Sequence, residues 1–370
     1  MKFNLTSQKM DLYVKISLFM PLALVLWACQ TKTSTMKEEN DIHWTSSVVT
    51  AEGYPIEVHV GYLATKHKFA SALPKTGTIY ENWNSNGTDM MSGGTGIPSV
   101  LSLIWVSYAE KKFWKVDAAL DTNKIRSLLS SGFTNYNRHH DRLDQEYYEN
   151  IVIAIAPGGL VSVLLTGRWR RVEVGRYHAK ETFVAVDDFY DNPDNDSQQE
   201  FFDWWYDNIV PPETLDYMKT YGIPYRSWET NNTKYNWGFK IQFYKTDKES
   251  TRDCTYINGE RELIFGLGLD SVTTRPLPLE SDFVFVISRK RATAEFDSTE
   301  LRLAFKEVMK ENPNNNPIEI VGKIAFMYEG VDFSVQCGTR KIPLEKVKVG
   351  MWGIATTKKE EDSLRRLRSD

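Results

Sequence analysis

Few side chains in this sequence have the spacing of a metal site. Among the six histidines, the one dense cluster is formed by His139, His140, Asp141 and Asp144. His140 and Asp144 have the i, i+4 spacing that places two side chains on one helix face. A metal site needs three or four ligands of matched geometry, and the flanking residues are polar and charged, as in a solvated loop or a frayed helix. The sequence therefore predicts no metal site here.

Sequence signatures of known catalytic chemistry are also missing. The chain contains no G-x-S-x-G, H-E-x-x-H, C-x-x-C or P-loop pattern. Serines and carboxylates are plentiful, so a catalytic triad or dyad could come together in the folded chain. The sequence, however, singles out no such group. The sequence offers no catalytic residue and no cofactor site, and it favours a protein without enzymatic activity.

One stretch that could recognise a ligand consists of Arg168, Trp169, Arg170 and Arg171. On a strand, Arg168 and Arg170 share one face, and Trp169 and Arg171 share the other. A pair of guanidinium groups on one face could hold a carboxylate or a phosphate. The simpler interpretation, which we favour, is a solvated strand face with Trp169 in the core.

A second stretch, with the sequence FFDWWYD, reads as a helix. It would bury Phe201, Trp204 and Trp205 on one side and place Phe202 and Tyr206, an i, i+4 pair, on another. A helix that is apolar on two sides lies between two domains or meets a partner. We favour the position between two domains.

Cys29 ends the first apolar run of the chain. Three lysines and one aspartate precede an uncharged run that is too short for a spanning helix of ~20 apolar residues. A basic segment followed by a short apolar one is typical of a secretory signal. Leu26, Ala28 and Cys29 match the lipobox of bacterial lipoproteins, in which the cysteine is lipidated and begins the mature chain, although Trp27 replaces the usual small residue. The alternative is an ordinary signal peptide with an incidental cysteine.

The residues after Cys29 are almost free of apolar side chains, which is typical of a flexible tether. Gln30 directly after the cysteine favours the outer membrane, and the lipid would be the membrane contact. Removal of residues 1–28 takes away three lysines and one aspartate, so the net charge changes from −4 to −6. This mildly acidic balance argues against a nucleic-acid partner.

The chain also contains an internal duplication. The order of features in the first half is repeated in the second, where Trp44 corresponds to Trp228 and Asp121 corresponds to Asp297. VSVLLTGR likewise corresponds to FSVQCGTR. A repeat of this length predicts two related folded units.

Each unit reads as strands, one helix, then strands. Alternating runs such as Ile56–Tyr62 predict strands with one buried face, and the denser run Leu101–Val106 predicts a central strand. Asp121 has the position of a helix N-cap, and Asp297 with Glu300 has the spacing of a capping box. The fold class is therefore α+β, with a mainly antiparallel sheet and one packed helix in each unit. The predicted organisation is a signal peptide at 1–28, a tether at 29–41, α+β repeats at 42–175 and 227–356, a connector with two short helices at 176–226, and a charged tail at 357–370.

Several blocks carry a resemblance to a known family. They are WVSYAEKKFW, APGGLVSVLLTG, GIPYRSWETNNTKYNW, YINGE and EFDSTELRLAFKEV. The chain resembles, nearly end to end, the bacterial lipoproteins grouped as domain-of-unknown-function family 2931. Where this family often has Trp in the second strand of the glycine hairpin, the chain has Leu164. The resemblance implies a lipid-anchored envelope protein and implies no reaction.

The combined interpretation is a non-enzymatic binding protein in the outer membrane of a bacterial cell envelope, with neutralisation of a toxin as one form of that function. Its partner would be a protein or a glycan. One alternative is a glycan-binding surface that uses Trp83, Trp169, Trp204 or Trp205 as stacking platforms. The other alternative is a hydrolase with a site at the junction of the two units. In an oxidising compartment Cys254 and Cys337 could form a disulfide. The alternative, which we favour, is that they are two separate buried thiols.

Overall fold

The computed structural model describes residues 42–354, except residues 76, 81, 88–91, 139 and 311–315. The predicted signal peptide, Cys29, the tether and the charged tail lie outside the described residues, as does His139. All described residues belong to one compact unit. Within them, no helix has both the length and the apolar character needed to cross a membrane.

The fold is α+β and consists mostly of strands. The strands are β1 (His43–Thr50), β2 (Ile56–Ala64), β3 (Phe69–Ala72), β4 (Thr78–Ile79), β5 (Ser92–Thr95), β6 (Val100–Ser107), β7 (Lys112–Ala119), β8 (Phe133–Asn137), β9 (Arg142–Glu146), β10 (Asn150–Ala156), β11 (Leu160–Gly167), β12 (Arg170–His178), β13 (Lys180–Thr182), β14 (Tyr235–Gln242), β15 (Glu249–Tyr256), β16 (Arg261–Phe265), β17 (Thr273–Arg275), β18 (Pro278–Phe285), β19 (Lys290–Glu295), β20 (Ile318–Ile324), β21 (Val331–Cys337), β22 (Arg340–Pro343) and β23 (Lys348–Gly353). The helices are α1 (Thr122–Ser131), α2 (Val186–Phe189), α3 (Gln198–Ile209), α4 (Pro212–Tyr221), α5 (Tyr225–Thr230) and α6 (Ser298–Lys310).

Three large sheets organise these elements. The largest has the strand order β23-β19-β18-β15-β16-β12-β11-β10-β1-β5. A second sheet, β13-β7-β6-β2-β3, belongs to the first half of the chain, and a third, β17-β14-β20-β21-β22, belongs to the second half. Pairing is antiparallel throughout the described strands except between β1 and β10 and between β14 and β20, which are parallel.

In the first half, β2, β6 and β7 pack on one face of the large sheet. Buried side chains such as Leu103, Trp105, Ile153 and Val163 fill the space between them. The opposite face of this part of the large sheet is covered by the helices between residues 186 and 230, which contribute Phe201 to a second apolar cluster. Burial on both faces explains why β10 and β11 are almost continuously apolar.

In the second half, β14, β20 and β21 pack against β15, β18 and β19, and helix α6 closes the core. Trp237, Phe239, Phe283 and Phe305 are buried together there. The inner face of β18 supplies Phe283, so the alternating residues Glu280 and Asp282 lie on its outer face. The second half therefore has a buried inner face and a polar outer face on the same strands.

The two halves meet in one continuous sheet. Antiparallel pairing of β12 with β16 places Arg170 opposite Glu262 and Arg171 opposite Arg261. Trp83, from a loop of the first half, donates its indole N–H to the carbonyl of Asn258 at 3.0 Å. The junction between the halves is thus held by sheet pairing and by a buried indole hydrogen bond.

Both predicted helix starts are observed, with one difference. Asp121 is the N-cap of α1 and accepts from the backbone N–H of Lys124 at 3.0 Å. Asp297 accepts in the same way from the N–H of Glu300 at 2.7 Å. The Glu300 carboxylate instead accepts from the backbone N–H groups of residues 345 and 346. Glu300 therefore ties the chain before β23 to the helix rather than completing a capping box.

Candidate functional site

The outer face of the large sheet carries an elongated depression, which we call the trough, lined by residues of the second half and by first-half residues at the junction. Three adjoining cavities of about 720, 110 and 1530 Å³ form it. Asp253 and Asp282 line both the first and the second cavity. Tyr136 and Arg291 line both the second and the third. The trough is therefore one surface with a polar end and an apolar end.

The polar end, called here the polar cleft, is built by strand register. Cross-strand partners run in a row over six strands and share one face of the sheet. The row consists of Arg171, Arg261, Thr255, Glu280, Glu295 and Lys348. Asp253 and Asp282, which also face each other, lie two residues along on the same side. The cleft thus has arginines towards β12 and carboxylates towards β19.

Like charges face each other in this cleft, and most of them have an opposite partner. The Nε of Arg261 donates to Asp253 at 2.9 Å, and the Nε of Arg291 donates to Asp282 at 3.0 Å. Lys348 lies 3.5 Å from a carboxylate oxygen of Glu295. Two charged members of the row, Arg171 and Glu280, have no ion pair or hydrogen bond with any described side chain.

Arg171 is the more unusual of the two because it is buried. Its side chain lines the cleft, yet the residue is 4% exposed. None of its three guanidinium nitrogens has a hydrogen-bond partner among the described residues. Burial, together with the charge of Arg261, lowers the pKa of Arg171 from 12.5 to about 9. The side chain is still protonated at neutral pH, so the cleft holds a desolvated and uncompensated cation.

Glu280 lies at the solvent-exposed side of the cleft. Partial burial raises the pKa of Glu280, and the nearby carboxylates of Asp282, Glu295 and Asp253 raise it further. The charge in the cleft is therefore unevenly distributed. The unpaired cation of Arg171 is buried at its floor, and negative charge is in excess at its solvent-exposed rim.

The predicted strand through Arg168 and Trp169 is wrong. These two residues form the turn between β11 and β12, and Trp169 has a φ of +60°. Arg168 and Arg170 therefore do not act as a pair on one strand face. Trp169 is 38% exposed rather than in the core, and the Arg261 guanidinium lies 4.7 Å from the centre of its ring. Arg170 instead pairs with Glu262 at 3.0 Å.

The apolar end of the trough, called here the apolar groove, lies between the β8–β9 hairpin and the end of β23. Leu267 is 98% exposed at a short 3₁₀ turn, and Leu143 and Trp352 are also exposed. Tyr136 stacks on Phe265 at 5.9 Å between ring centres. This concentration of exposed large apolar side chains in one concave surface is typical of an interaction site.

The helix that contains FFDWWYD is α3, and it does not bury all the aromatic rings predicted for its inner side. Phe201 is buried and Trp205 stacks on Tyr108 at 4.9 Å, but Trp204 is 55% exposed. Phe202 and Tyr206 are partly buried against the same first-half core. The helix therefore packs on the core of the first half, with Trp204 turned to solvent.

Most of the remaining residues singled out from the sequence do not line the trough. His140 and Asp144 belong to the β8–β9 hairpin, so a shared helix face is wrong; Asp144 accepts from Arg142 at 2.7 Å. Cys254 and Cys337 are free, buried thiols in two different sheets. Trp83 is buried at the junction. Among the described residues no group of three potential metal ligands comes together.

Sequence reasoning did not identify the acidic side of the cleft or the isolation of Arg171. The pattern Glu280-x-Asp282 places two carboxylates on one face of a strand. Asp253 and Thr255 also alternate with other residues on their strand. These two alternating polar patterns are the sequence signal that could have indicated a polar outer face. Which strands meet across that face depends on long-range pairing, and the sequence does not contain that information locally.

A family model described as protein of unknown function (DUF2931) matches residues 30–226 of the chain. The matched range includes the first half, β12 with Arg171, and the helices that follow. The blocks YINGE and EFDSTELRLAFKEV lie beyond it, so the match does not reach end to end. No curated protein and no solved structure matches the chain.

Proposed function

The chain belongs to the DUF2931 family of proteins of unknown function, and from that premise we propose that it is a binding protein whose binding surface is the trough. The observation that carries this proposal is the uncovered outer face of β15, β18 and β19. Exposed apolar side chains concentrate at one end of this face, and a buried cation without a partner lies at the other. Both features cost free energy in the isolated chain, and both costs fall when a ligand covers them.

The shape of the trough favours an extended segment of a partner protein. Its three cavities follow one another along the sheet, so an occupant would be long and narrow. Such a segment would place apolar side chains near Leu267 and Trp352 and charged ones in the polar cleft. Neutralisation of a toxin by occlusion is one form that this function could take.

We further propose that the protein acts in the cell envelope as a lipoprotein. The support is the sequence alone, namely the basic segment, the apolar run and Cys29 in a lipobox context. A lipid on Cys29, followed by a polar tether, would leave the trough free to meet partners near the membrane surface. The proposed location is the outer membrane.

A tandem duplication remains our proposal for the origin of the fold. It is supported by the order of strand pairing, since β1 is parallel to β10 as β14 is to β20, and each half places its helix before that second strand. In this alignment Trp44 corresponds to Trp237, not to Trp228, which lies in α5. Both indoles donate to a backbone carbonyl in the loop before the next core strand, Trp44 to Gly96 and Trp237 to Pro276.

Two observations keep other functions in view. The exposure of Trp204 and the half-exposure of Trp169 favour a glycan-binding surface as a second candidate. The carboxylates of the polar cleft, with the raised pKa of Glu280, favour a hydrolase at the junction as a third. A Glu280→Gln variant that binds its partner normally would separate binding from carboxylate-dependent hydrolysis.

Site-specific photo-crosslinking in cells tests the proposed surface. A photoreactive phenylalanine analogue at Leu267 is expected to give an adduct of defined mass with an envelope protein. The same analogue at Phe183, which is 76% exposed and lies outside the three cavities, is the matched control. The Leu267 adduct should weaken when Trp352, across the groove, is changed to Ala. Equal adducts at both positions, or none at Leu267, would contradict the proposal.

A further inference from the structure

The burial of Arg171 without a partner calls for a ligand group rather than a protein group. Removing a guanidinium from water is costly, and proteins offset this cost with carboxylates or with several hydrogen bonds. Arg171 has neither among the described residues, although five nitrogen-bound hydrogens of a guanidinium are available as donors. Its nearest charged neighbour across the strands is Arg261, which repels it.

The carboxylates on the strands next to Arg171 are already paired with other cations. Asp253 accepts from Arg261, and Glu262 pairs with both Arg170 and Arg275. These acids are therefore already engaged by other cations. The remaining cavity next to Arg171 has a volume of about 720 Å³, and Asn84, Asn86 and Gly259 contribute to its wall. This space is large enough for an oxyanion together with part of the molecule that carries it.

We propose that Arg171 is the anion-binding residue of the polar cleft and that it takes a carboxylate or phosphate group of the molecule in the trough. The inference rests on the proposed function, since it names the chemistry at one end of that binding surface. The planar guanidinium fork matches both oxyanions through two parallel N–H···O bonds. Arg261 adds positive charge to the cleft. Its guanidinium is already engaged by Asp253 and lies over the ring of Trp169, so it does not provide a second bidentate donor for the anion.

Glu280 and Glu295 restrict which anions enter. Their charges stand on the far side of the same row of cross-strand partners, so an anion that approaches from the rim is repelled before it reaches Arg171. Three strand spacings, roughly 14 Å, separate β12 from β18. A ligand that also presents a cationic group at the rim would therefore fit better than a simple anion, and we expect simple anions to bind weakly.

Titration of the full-length chain, purified in detergent, with inorganic phosphate and separately with acetate at constant ionic strength tests the anion site. We expect at least one of these probes to bind the wild-type protein, detected by calorimetry and by a rise in Tm. The Arg171→Met variant should bind at least tenfold more weakly. Lys66→Gln removes an exposed positive charge outside the three cavities and should leave the affinity unchanged.

Two further variants keep the outcome interpretable. Arg171→Lys retains the charge but loses the fork, so it should bind more weakly than wild type and more strongly than Arg171→Met. Glu280→Gln should bind the simple anions more tightly because a repelling charge is gone. Failure of both anions to bind wild type, or equal binding by wild type and Arg171→Met, would overturn the inference.

The outcomes for the anion site and for the trough are separable. Adducts at Leu267 that persist in Arg171→Met, with no anion binding by wild type, would leave the proposed function standing and remove the anion site. Anion binding that depends on Arg171, without any adduct at Leu267, would establish the anion site and remove the partner-binding function of the apolar groove.

Discussion

Replacing Arg171 with Met should stabilise the protein, which is the reverse of the usual result for a buried residue. The pKa of Arg171 falls from 12.5 to about 9, a shift of about 3.5 units, which corresponds to about 5 kcal/mol against the charged form in the folded state. At pH 7 the group is protonated in both the folded and unfolded chain, so this cost is fully present. Met fills a similar volume without a charge and removes no hydrogen bond to a described residue.

The expected gain is smaller than the full electrostatic cost because Met packs less favourably than a native core residue. Replacements of buried ionic groups by apolar side chains gain about 1–4 kcal/mol. With an unfolding entropy of about 2.1 cal/mol/K per residue over about 310 residues, this gain corresponds to a rise in Tm of about 2–6 °C. Thermal unfolding in Tris-chloride at pH 7 measures it, with Lys66→Gln, at an exposed position outside the three cavities, as the charge-matched control.

The pH dependence gives an independent check on the sign. Since the folded-state pKa of Arg171 is lowered, its cost is fully present below pH 9 and decreases progressively as the pH rises above about 9 towards the unfolded-state value of 12.5. The advantage of Arg171→Met over wild type should therefore shrink between pH 8 and pH 10. If Arg171→Met is less stable than wild type at pH 7 while Lys66→Gln is unchanged, Arg171 must have a compensating partner, and the predicted electrostatic cost is wrong.

Four further predictions follow from the contacts described above. Glu280→Gln should raise Tm at pH 7, and this difference should diminish as the pH is lowered towards 4.5, because the raised pKa of Glu280 means that its unfavourable charge is lost on acidification; a constant difference would contradict this. Asp121→Ala should cost about 1 kcal/mol through loss of the helix N-cap, measured by urea unfolding, whereas an unchanged midpoint would mean that the cap is redundant. Trp205→Ala should cost about 3 kcal/mol and the neighbouring exposed Trp204→Ala less than about 0.5 kcal/mol, and similar losses would argue against the orientation of α3. Cys29→Ala should abolish metabolic labelling with palmitate, and unchanged labelling would overturn the proposed lipid anchor.

Local features were predictable because they depend on neighbouring residues. Asp121 and Asp297 lie three residues before the N–H groups that they accept from, so short sequence windows identify both helix starts. Helix α4 lies within the predicted connector, begins with Pro212 and ends before Gly222, which has a φ of +73°. Proline at the start and glycine after the end of a helix are strong local signals.

Features that depend on turn conformation were not predictable from composition. The turn at Arg168 and Trp169 requires a positive φ at a tryptophan, a conformation that Asn and Gly adopt far more readily. The two residues of the turn itself are not usual turn residues, so the stretch reads as one strand. For the same reason the sequence places Arg168 and Arg170 on one strand face. Nothing in the sequence distinguishes Arg171, the residue that is left without a partner.

The candidate site itself arises from strand register. Arg171 and Arg261 are 90 positions apart in the sequence, too far to form a local motif. They meet because β12 and β16 pair at the junction of the halves. Neither side chain is unusual in its own segment. What makes the site is that Arg261 is neutralised by Asp253 while Arg171 is not. Such a difference exists only in the assembled sheet.

The most direct test of the anion-binding cleft is a crystal structure of the protein soaked with selenate or tungstate, whose anomalous scattering locates the anion without ambiguity. We expect an anomalous peak in the polar cleft, with anion oxygens within about 3 Å of the guanidinium nitrogens of Arg171. The Arg171→Met crystal should lack that peak. Peaks confined to surface lysines, or a cleft peak that persists in Arg171→Met, would contradict the central claim.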